Sequence, residues 1–325
     1  MLGKPCWSGY EMYPISGYFS KLGAHLTMLS DQRRVEFYEN SLKKAIIPGE
    51  SVVLDIGTGT GILAMLAARC GAKKVYAIEC GDIINIAKKI VAENGFEDKI
   101  EFVRGLSNEV ELPEKVDIVV TETMGFTGLE ENIEEILNDA KTRFGHEGTV
   151  LIPSKLNVFI ALSDDKTARK NLIDIWNKDF FGFDYSYLAD LSKDNIFTRQ
   201  TITKDSIKSD TGIVSEIDFY GQKENNRAIL TVNEDCILEG MVGWFNVESK
   251  GGVTLYGAEP SHDGHWQQFF VAFKQPIRAN KGDSFAVSLS NEQPFIWDVM
   301  YSRGEQVLDS FKIDNGTILK ALKNE

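Results

Sequence analysis

Three glutamates stand close together in the segment TETMGFTGLEE, which covers residues 121–131. An apolar, glycine-containing stretch separates Glu122 from Glu130 and Glu131. Burying an unpaired carboxylate is costly, so we expect a cationic partner if these side chains lie in a pocket. The alternatives are that they are solvated loop charges, or that Glu131 serves the dipole of a helix beginning at NIEEIL.

A second chemical motif is the run VLDIGTGTG, in which Gly57, Gly59 and Gly61 follow a strand-like segment. The third glycine comes one residue too early for a dinucleotide fingerprint. The spacing is the pattern of S-adenosylmethionine-binding sheets, where bare glycine backbone lets a ligand approach closely. Asp55 is placed to neutralise the amino end of that ligand, and Glu79 to accept its ribose hydroxyls at the end of the next strand.

Alternating strands and helices must position both motifs. Such an order predicts a parallel, doubly wound α/β sheet, which binds ligands at the carboxyl ends of its strands. Residues 57–61, the glycine loop, and residues 122–131, the carboxylate loop, both lie at such ends. The predicted strands are SVVLDIG, KKVYAIE, KIEFVRG, VDIVVTE and TVLIP, and the predicted helices are GILAMLAARCG, DIINIAKKIVAEN and NIEEILNDAKTRF.

The pattern changes after Pro153. β-like runs broken by Gly, Asn and Asp predict an antiparallel barrel or sandwich. A polar and aromatic insertion at about 168–209 is predicted to be helical and could be an arm that reaches a partner chain. Residues 20–46 also look helical. The β-like runs are KLNVFIALS, GIVSEIDFYG, RAILTVNEDCILEGMVGWFNVE, GVTLYGAE, WQQFFVAFKQPI and DSFAVSLS.

Length and charge restrict the function. The chain has 325 residues, enough for two compact cores. Its net charge of −13 disfavours nucleic acid and anionic membranes, and suits either a cationic partner or simple solubility. There is no apolar run of about eighteen residues and no apolar segment typical of a secretion signal. We therefore expect a cytoplasmic protein without a membrane span.

A metal site and a disulfide scaffold are not expected. The chain has four histidines, and its four cysteines lack CxxC spacing, which argues against a zinc site or a disulfide scaffold. We predict no metal ligands. The cysteines are Cys6, Cys70, Cys80 and Cys236.

At the carboxylate loop the sequence resembles the protein arginine methyltransferase family. Glu122, Met124, Gly125 and Glu131 match a family hairpin of the form Glu-Trp-Met-Gly-Tyr…Glu. The resemblance runs from about Tyr18 to the end of the chain. It includes MLSDQRRVEFY, the glycine-loop half, WNKDFFGFDYSYLADL at the place of the family's dimerisation arm, and GHW at the place of its Thr-His-Trp loop.

The resemblance implies that Glu122 and Glu131 grip a guanidinium, a planar fork of N–H donors that suits carboxylates. Holding the guanidinium aligns one nitrogen with the methyl group of S-adenosylmethionine. Spacing favours Glu131 over Glu130 as the second residue, and Glu130 stays open. His265 is implied to pair with Asp31 and to accept the released proton.

The resemblance also implies contacts with the cofactor. Arg34 matches the residue that binds the cofactor carboxylate, and Asn108 stands where the family has an acidic residue near adenine. An amide can replace that contact through its carbonyl. The other residues implied to bind or cover the cofactor are Ser107, His25, Met28, Tyr18 and Phe19.

Several departures leave the acceptor open. The family tryptophan and tyrosine of the carboxylate loop are Thr123 and Phe126, and a family methionine is Ile133. The acceptor could be a protein, a peptide or free arginine. An inactive regulatory subunit with this fold, and methylation of an unrelated oxygen or carbon atom, are further alternatives.

The expected organisation has three parts. Residues 1–46 form a helical segment that closes over the cofactor, 47–152 the cofactor-binding domain, and 153–325 a β-barrel substrate domain with the inserted arm. The arm predicts a homodimer, because the aromatic surface around Trp176, Phe180, Phe181 and Phe183 is large for a monomer.

Overall fold

The computed structural model describes residues 22–221, 223–224, 227–257, 264–290, 294–317 and 320–321. The chain divides into two compact units. The first contains the described residues up to 156 with 217–221 and 246–256. The second contains 157–216, 223–245 and the described residues from 257 onward. Tyr18 and Phe19, predicted to cover the cofactor, lie outside the described residues.

The first unit is built on a five-stranded parallel sheet with the order β3-β2-β1-β4-β5. Every residue of β1 and β4 is buried, as the continuous apolar runs predict. The strand order reverses between β1 and β4, and this is where such sheets bind ligands. The strands are β1 (Val52–Ile56), β2 (Lys74–Glu79), β3 (Ile100–Arg104), β4 (Ile118–Thr121) and β5 (Val150–Ile152).

Five helices accompany this sheet, and three of them begin just after a strand-end loop. The predicted helices are confirmed, including two in the segment before β1. The helices are α1 (Leu22–Ser30), α2 (Gln32–Ala45), α3 (Ile62–Arg69), α4 (Ile84–Glu93) and α5 (Ile133–Arg143).

Helix α2 is fixed to the end of β4. Its apolar face buries Phe37, Tyr38 and Leu42, and the Tyr38 hydroxyl donates a hydrogen bond of 2.9 Å to the carbonyl of Thr121. Because Thr121 is the last residue of β4, this buried hydrogen bond fixes the position of α2 next to the start of the carboxylate loop.

The register of the sheet brings the two predicted loops together. Ile56 at the end of β1 is paired with Thr121 at the end of β4. The glycine loop and the carboxylate loop therefore leave the sheet side by side, as the sequence predicts.

The remaining strands form two antiparallel assemblies. One sheet has the order β10-β14-β15-β16, and the other has the order β7-β13-β11-β6-β8-β9 with β12 paired to β11. The strands are β6 (Lys155–Ser163), β7 (Ile196–Gln200), β8 (Gly212–Asp218), β9 (Lys223–Glu224), β10 (Arg227–Thr231), β11 (Cys236–Ser249), β12 (Val253–Tyr256), β13 (Gln268–Ala279), β14 (Ser284–Leu289), β15 (Ile296–Arg303) and β16 (Gln306–Asp314).

The insertion is helical only in its first part. Helix α6 (Lys166–Leu172), a 3₁₀ turn and helix α7 (Ser186–Ser192) are followed by strand β7. The prediction of a helical insertion up to residue 209 is wrong at β7, because Ile196 and Phe197 pair with the edge of β13. Strands β15 and β16 were also not predicted. The apolar residues Trp297, Val299 and Tyr301 of β15 do alternate and are buried, whereas most residues of β16 are exposed.

Two further observations bear on the sequence predictions. Cys80 is disulfide-bonded, whereas Cys70 and Cys236 are free. Within the part of the chain that the structure describes, every helix is too short or too polar to cross a membrane.

Candidate active site

The glycine loop is shaped by left-handed backbone. Gly57, Gly59 and Gly61 have φ angles of +70°, +56° and +88°, which only glycine adopts without strain. A Cβ atom at Gly59 would lie 3.3 Å from Cε1 of His25, a buried residue of α1. The structure thus brings His25 and the glycine loop together, and its predicted contact with the cofactor stays a prediction.

Two carboxylates, those of Glu79 and Asp55, stabilise this loop by accepting hydrogen bonds. Glu79 accepts hydrogen bonds from the amides of Gly59 (3.0 Å) and Gly81 (2.7 Å), one on each oxygen. Asp55 is fully buried and accepts a hydrogen bond of 2.6 Å from the hydroxyl of Thr58. Burial raises the pKa of Asp55 to about 7 against the opposing effect of the Thr58 bond. Both predicted cofactor residues therefore also stabilise the loop.

Arg34 of α2 lies against Glu122 at the end of β4. It donates from Nε and Nη2 to Oε2 of Glu122 at 3.0 and 2.7 Å, and both side chains are nearly buried. Its Nη1 donates to the carbonyl of Met28 at 3.0 Å. Burial opposes the charge of Arg34, yet the carboxylate of Glu122, together with Tyr38 and Asp31, raises the pKa of Arg34.

The first residues of α2 are themselves fixed. Asp31 is the N-cap, and its side chain accepts a hydrogen bond of 3.1 Å from the amide of Arg34. This cap stabilises the helix start that carries Arg34. The predicted pairing of Asp31 with His265 links residues of the two units and stays a prediction.

Glu131 has a different environment. It is half-buried, and no hydrogen bond or ion pair of its carboxylate is found with the described residues. Burial, followed by the charges of Glu122 and Glu130, raises the pKa of Glu131 to about 8. An acidic side chain in this condition favours a cation as its partner.

Glu130 points back into its own loop. Both carboxylate oxygens accept the amide of Thr127, at 3.0 and 2.8 Å. Burial raises the pKa of Glu130, and the Thr127 bonds oppose this. Glu130 thus has a partner inside the loop, and Glu131 does not. This difference favours Glu131 over Glu130 as the residue that faces a ligand.

The remaining predicted residues of the described chain are Ser107, Asn108 and His265. Ser107 follows β3, and its carbonyl accepts a hydrogen bond of 2.7 Å from Arg143. Asn108 beside it is exposed at the same edge of the sheet. In the second unit the ring of His265 lies 3.9 Å from that of Trp266, which is buried against Phe245.

The sequence reasoning did not identify the residues that support the site. Tyr38 and Thr58 fix α2 and the glycine loop, respectively. Thr123, which replaces the family tryptophan, lies beside the glycine loop, since a Cβ atom at Gly57 would be 3.4 Å from its Cγ2. No sequence signal marks Tyr38, because an aromatic residue on the apolar face of a helix is ordinary core.

Sequence models of two known families match the chain. Residues 35–154 match the family described as ribosomal protein L11 methyltransferase (PrmA). Residues 154–298 match the arginine methyltransferase oligomerization subdomain. The second match contains the predicted arm and most of the antiparallel strands.

Curated relatives give a consistent result. Protein arginine N-methyltransferase 1 of Saccharomyces cerevisiae is 30% identical over 82% of this chain and 79% of its own length. Protein arginine N-methyltransferase 1.1 of Arabidopsis thaliana is 28% identical over 84% of this chain and 72% of its own length.

Solved structures share the fold. The Trypanosoma brucei PRMT1 enzyme–prozyme heterotetrameric complex with AdoHcy superimposes with a TM-score of 0.80, at 26% identity, over 91% of this chain and 99% of that chain. Arabidopsis thaliana protein arginine methyltransferase 10 gives a TM-score of 0.77 at 24% identity, over 91% of this chain and 97% of that chain, and supports the fold alone. The predicted fold class is confirmed.

Proposed function

Because this chain belongs to the protein arginine N-methyltransferase family, we propose that it transfers a methyl group from S-adenosyl-L-methionine to a guanidino nitrogen of arginine. One observation carries the proposal. Two glutamates flank the loop after β4: Glu122 uses a single oxygen for Arg34, and Glu131, whose charge interacts with that of Glu122, has no ion pair with the described residues. A planar cation with several N–H donors complements this arrangement.

The described residues fit the cofactor. At Gly57 and Gly59 the turn has backbone without a side chain, and Cβ atoms there would meet Thr123 and His25. When bound, S-adenosyl-L-methionine supplies an electrophilic methyl group on a sulfonium. We assign the cofactor contacts that the sequence predicts to Arg34, Asp55, Glu79, Asn108, Ser107, Met28, His25, Phe19 and the three glycines.

We assign the acceptor contacts to Glu122 and Glu131. Oε1 of Glu122, which Arg34 does not use, and the carboxylate of Glu131 receive N–H donors of the guanidinium. Since the pKa of Glu131 is raised to about 8, it holds a proton at neutral pH before the acceptor binds, and it must lose this proton to form the ion pair. Held from two sides, the guanidinium turns one nitrogen to the methyl group.

The proton balance requires an acceptor group. The nitrogen that forms the new N–C bond loses one proton. We assign its release to His265 with Asp31, as the family resemblance implies.

The nature of the arginine compound is a separate question. A protein or peptide acceptor is the first candidate, and the net charge of −13 suits a basic one. Free arginine is the second candidate. It is favoured by Thr123, because a small side chain beside the glycine loop leaves more room than the family tryptophan.

The test is methyl transfer from labelled S-adenosyl-L-methionine to an arginine-rich peptide and to free L-arginine. Wild type, Glu122→Gln and Glu131→Gln are compared, with Glu135→Gln as the control. Glu135 is exposed on the first turn of α5 and lies outside the loop. We expect Glu122→Gln and Glu131→Gln each to lose at least about 100-fold in kcat/KM, because each leaves the charge of the guanidinium unmatched on one side.

The outcomes are distinct. Label on the peptide assigns a protein arginine methyltransferase, whereas label on free arginine alone assigns small-molecule metabolism with the same mechanism. Cofactor binding without label on either compound would contradict the proposal and favour a regulatory subunit or another acceptor.

We further propose a homodimer assembled through the arm. The side chains of Phe181 and Phe183 are 97% and 65% exposed, which is unusual for phenylalanine. Trp176, Phe180 and Tyr185 form a ring cluster behind them that fixes the arm. The match of residues 154–298 to an oligomerization subdomain supports this proposal.

Sedimentation tests the dimer. We expect wild type to sediment as a dimer at micromolar concentration and Phe181→Ser with Phe183→Ser as a monomer. Tyr256→Ser, which removes a 55% exposed aromatic residue elsewhere, is the control and should stay dimeric. A monomeric wild type would overturn the proposal.

The domain boundaries and the location remain proposals. We retain residues 1–46 as the segment that closes over the cofactor, 47–152 as the cofactor-binding domain and 153–325 as the substrate domain. The cytoplasmic location rests on the sequence, and cell fractionation tests it.

A further inference from the structure

Glu130 is folded back over the turn that connects the two guanidinium-binding candidates. Both of its oxygens accept the amide of Thr127. The same side chain covers Gly125, where a Cβ atom would lie 2.6 Å from Oε2 of Glu130. Glycine is therefore required at position 125 for the glutamate to reach the amide.

The turn between Glu122 and Glu131 has an uncommon backbone. Gly125 and Gly128 have φ angles of +66° and +89°, and Asn132 has +57°. Glycine residues are conformationally free in the unfolded chain, so such a loop needs specific contacts to stay closed. The two bonds from the Thr127 amide to Glu130 are contacts of this kind, and they join the middle of the loop to its end.

Glu130 also brings charge to the site. The ionisable groups that act on Glu131 are Glu122 from the end of β4 and Glu130 from the loop itself. Arg34 of α2 is paired with Glu122. Arg34 is thus the cation that the described residues of this cluster provide for three carboxyl groups. An incoming cation would favour the loss of the proton that Glu131 holds, since it stabilises the charged form.

We propose that Glu130 is a positioning residue, which closes the carboxylate loop through the Thr127 amide and adds a negative charge beside Glu131 that strengthens selection for a cationic acceptor. The inference rests on the proposed function, because the acceptor is taken to be a guanidinium. It assigns the two adjacent glutamates different tasks: Glu131 contacts the acceptor, and Glu130 acts through the loop and through Glu131.

Two substitutions separate the two tasks. Glu130→Gln keeps a carbonyl oxygen for the Thr127 amide and removes the charge, whereas Glu130→Ala removes both. For Glu130→Gln we expect the acidic limb of the kcat/KM profile to move to lower pH, because the charge of Glu130 helps to raise the pKa of Glu131. At pH 6.5 this gives a gain of several-fold over wild type, and at pH 9 a loss through a higher KM for the cationic peptide.

For Glu130→Ala we expect the same shift of the acidic limb and, in addition, a loss of about tenfold in kcat at its pH optimum, because the acceptor is misplaced. Hydrogen exchange at the Thr127 amide is the readout that does not depend on activity. It should become at least about tenfold faster in Glu130→Ala and stay close to wild type in Glu130→Gln. Glu135→Gln removes a nearby charge outside the loop and should change neither the exchange nor the pH profile.

The results that overturn the inference are specific. Unchanged exchange at Thr127 in Glu130→Ala would show that Glu130 does not close the loop. A pH profile of Glu130→Gln that coincides with wild type would show that its charge does not act on Glu131. If wild type methylates no guanidine compound, the proposed function fails, and the exchange experiment still decides the loop-closing role.

Discussion

The two loops at the carboxyl edge of the parallel sheet use carboxylates in opposite ways. At the glycine loop, Glu79 is bonded to two backbone amides and Asp55 to a hydroxyl. At the carboxylate loop, Glu122 shares one oxygen with Arg34, and the carboxylate of Glu131 makes no hydrogen bond with the described residues. The carboxylates of the first loop hold its backbone, although Oδ1 of Asp55 has no hydrogen-bond partner among the described residues. The second loop has three carboxyl groups, for which the described residues provide a single cation, Arg34.

The two loops serve two kinds of ligand in the proposed reaction. The cofactor is the same in every cycle, whereas the acceptor can vary. A cofactor site gains affinity when its backbone is fixed beforehand, because less conformational freedom is lost on binding. An acceptor site gains specificity when its carboxylates are satisfied only by the right cation, since an analogue without donors leaves them unpaired. The following predictions test this comparison.

Replacing Arg34 should have the largest effect. Arg34→Met leaves Glu122 nearly buried without its cation, and removing one partner of a buried pair costs about 3–5 kcal/mol. We expect a corresponding loss in the free energy of unfolding, measured by urea denaturation. We also expect loss of methyl transfer.

Arg69→Met is the matched control. Arg69 pairs with Glu39 at 3.1 Å, but its side chain is 59% exposed. Exposed pairs contribute about 0–1 kcal/mol. Equal losses in both variants would show that the Arg34–Glu122 pair has no special role in the carboxylate loop.

A substitution in the glycine loop should have an intermediate effect. Gly59→Ala places a side chain in left-handed backbone, at a cost of roughly 1–2 kcal/mol, and pushes against His25. We expect S-adenosylhomocysteine to bind about tenfold more weakly in calorimetry. A tenfold change in affinity corresponds to about 1.4 kcal/mol of binding free energy.

Gly95→Ala provides the comparison. Gly95 has φ +73° and no atom within 4 Å of its would-be Cβ, so the backbone strain is similar but the contact is missing. It should lose stability and bind S-adenosylhomocysteine like wild type. Weaker binding in Gly95→Ala would mean that strain alone, and not the fixed shape of the loop, explains the effect.

The smallest expected effect is a change in how the free energy of unfolding depends on pH. The pKa of Glu131 is raised from 4.5 to about 8, so its stabilising contribution is complete below pH 4.5 and is lost as the pH rises through 8. Glu131→Gln removes this loss. After allowance for solvent screening, we expect the variant to be more stable than wild type by about 1 kcal/mol at pH 8.5 and equal to it at pH 4.

Thermal unfolding between pH 4 and pH 9 measures this difference. Glu79→Gln is a control from the other loop. Its carboxylate accepts two amide bonds, so this variant should lose stability instead of gaining it. A Glu131→Gln variant that is less stable than wild type at pH 8.5 would show that Glu131 has a partner in the free protein.

Much of the parallel-sheet unit could be predicted from the sequence. Its strands are continuous apolar runs because they are buried on both faces, and its glycines are placed where the backbone is left-handed. Strand β15 carries a recognisable alternation, in which Trp297, Val299 and Tyr301 are buried, but strand β16 could not be predicted in this way. Most residues of β16 are exposed, so burial did not impose an apolar alternation that a sequence pattern can reveal.

At the site, the residue types and their positions in the loops could be predicted from the sequence. The hydrogen-bond partners of the carboxylates could not. The sequence by itself determined that Glu122, Glu130 and Glu131 follow β4 and that glycines follow β1, since chain order fixes which residues end a strand. The tertiary structure decided which carboxylate receives Arg34, which receives the Thr127 amide and which stays without a hydrogen bond. Those choices depend on the register of β1 with β4 and on helix α2, which arrives from more than 80 residues away in the chain.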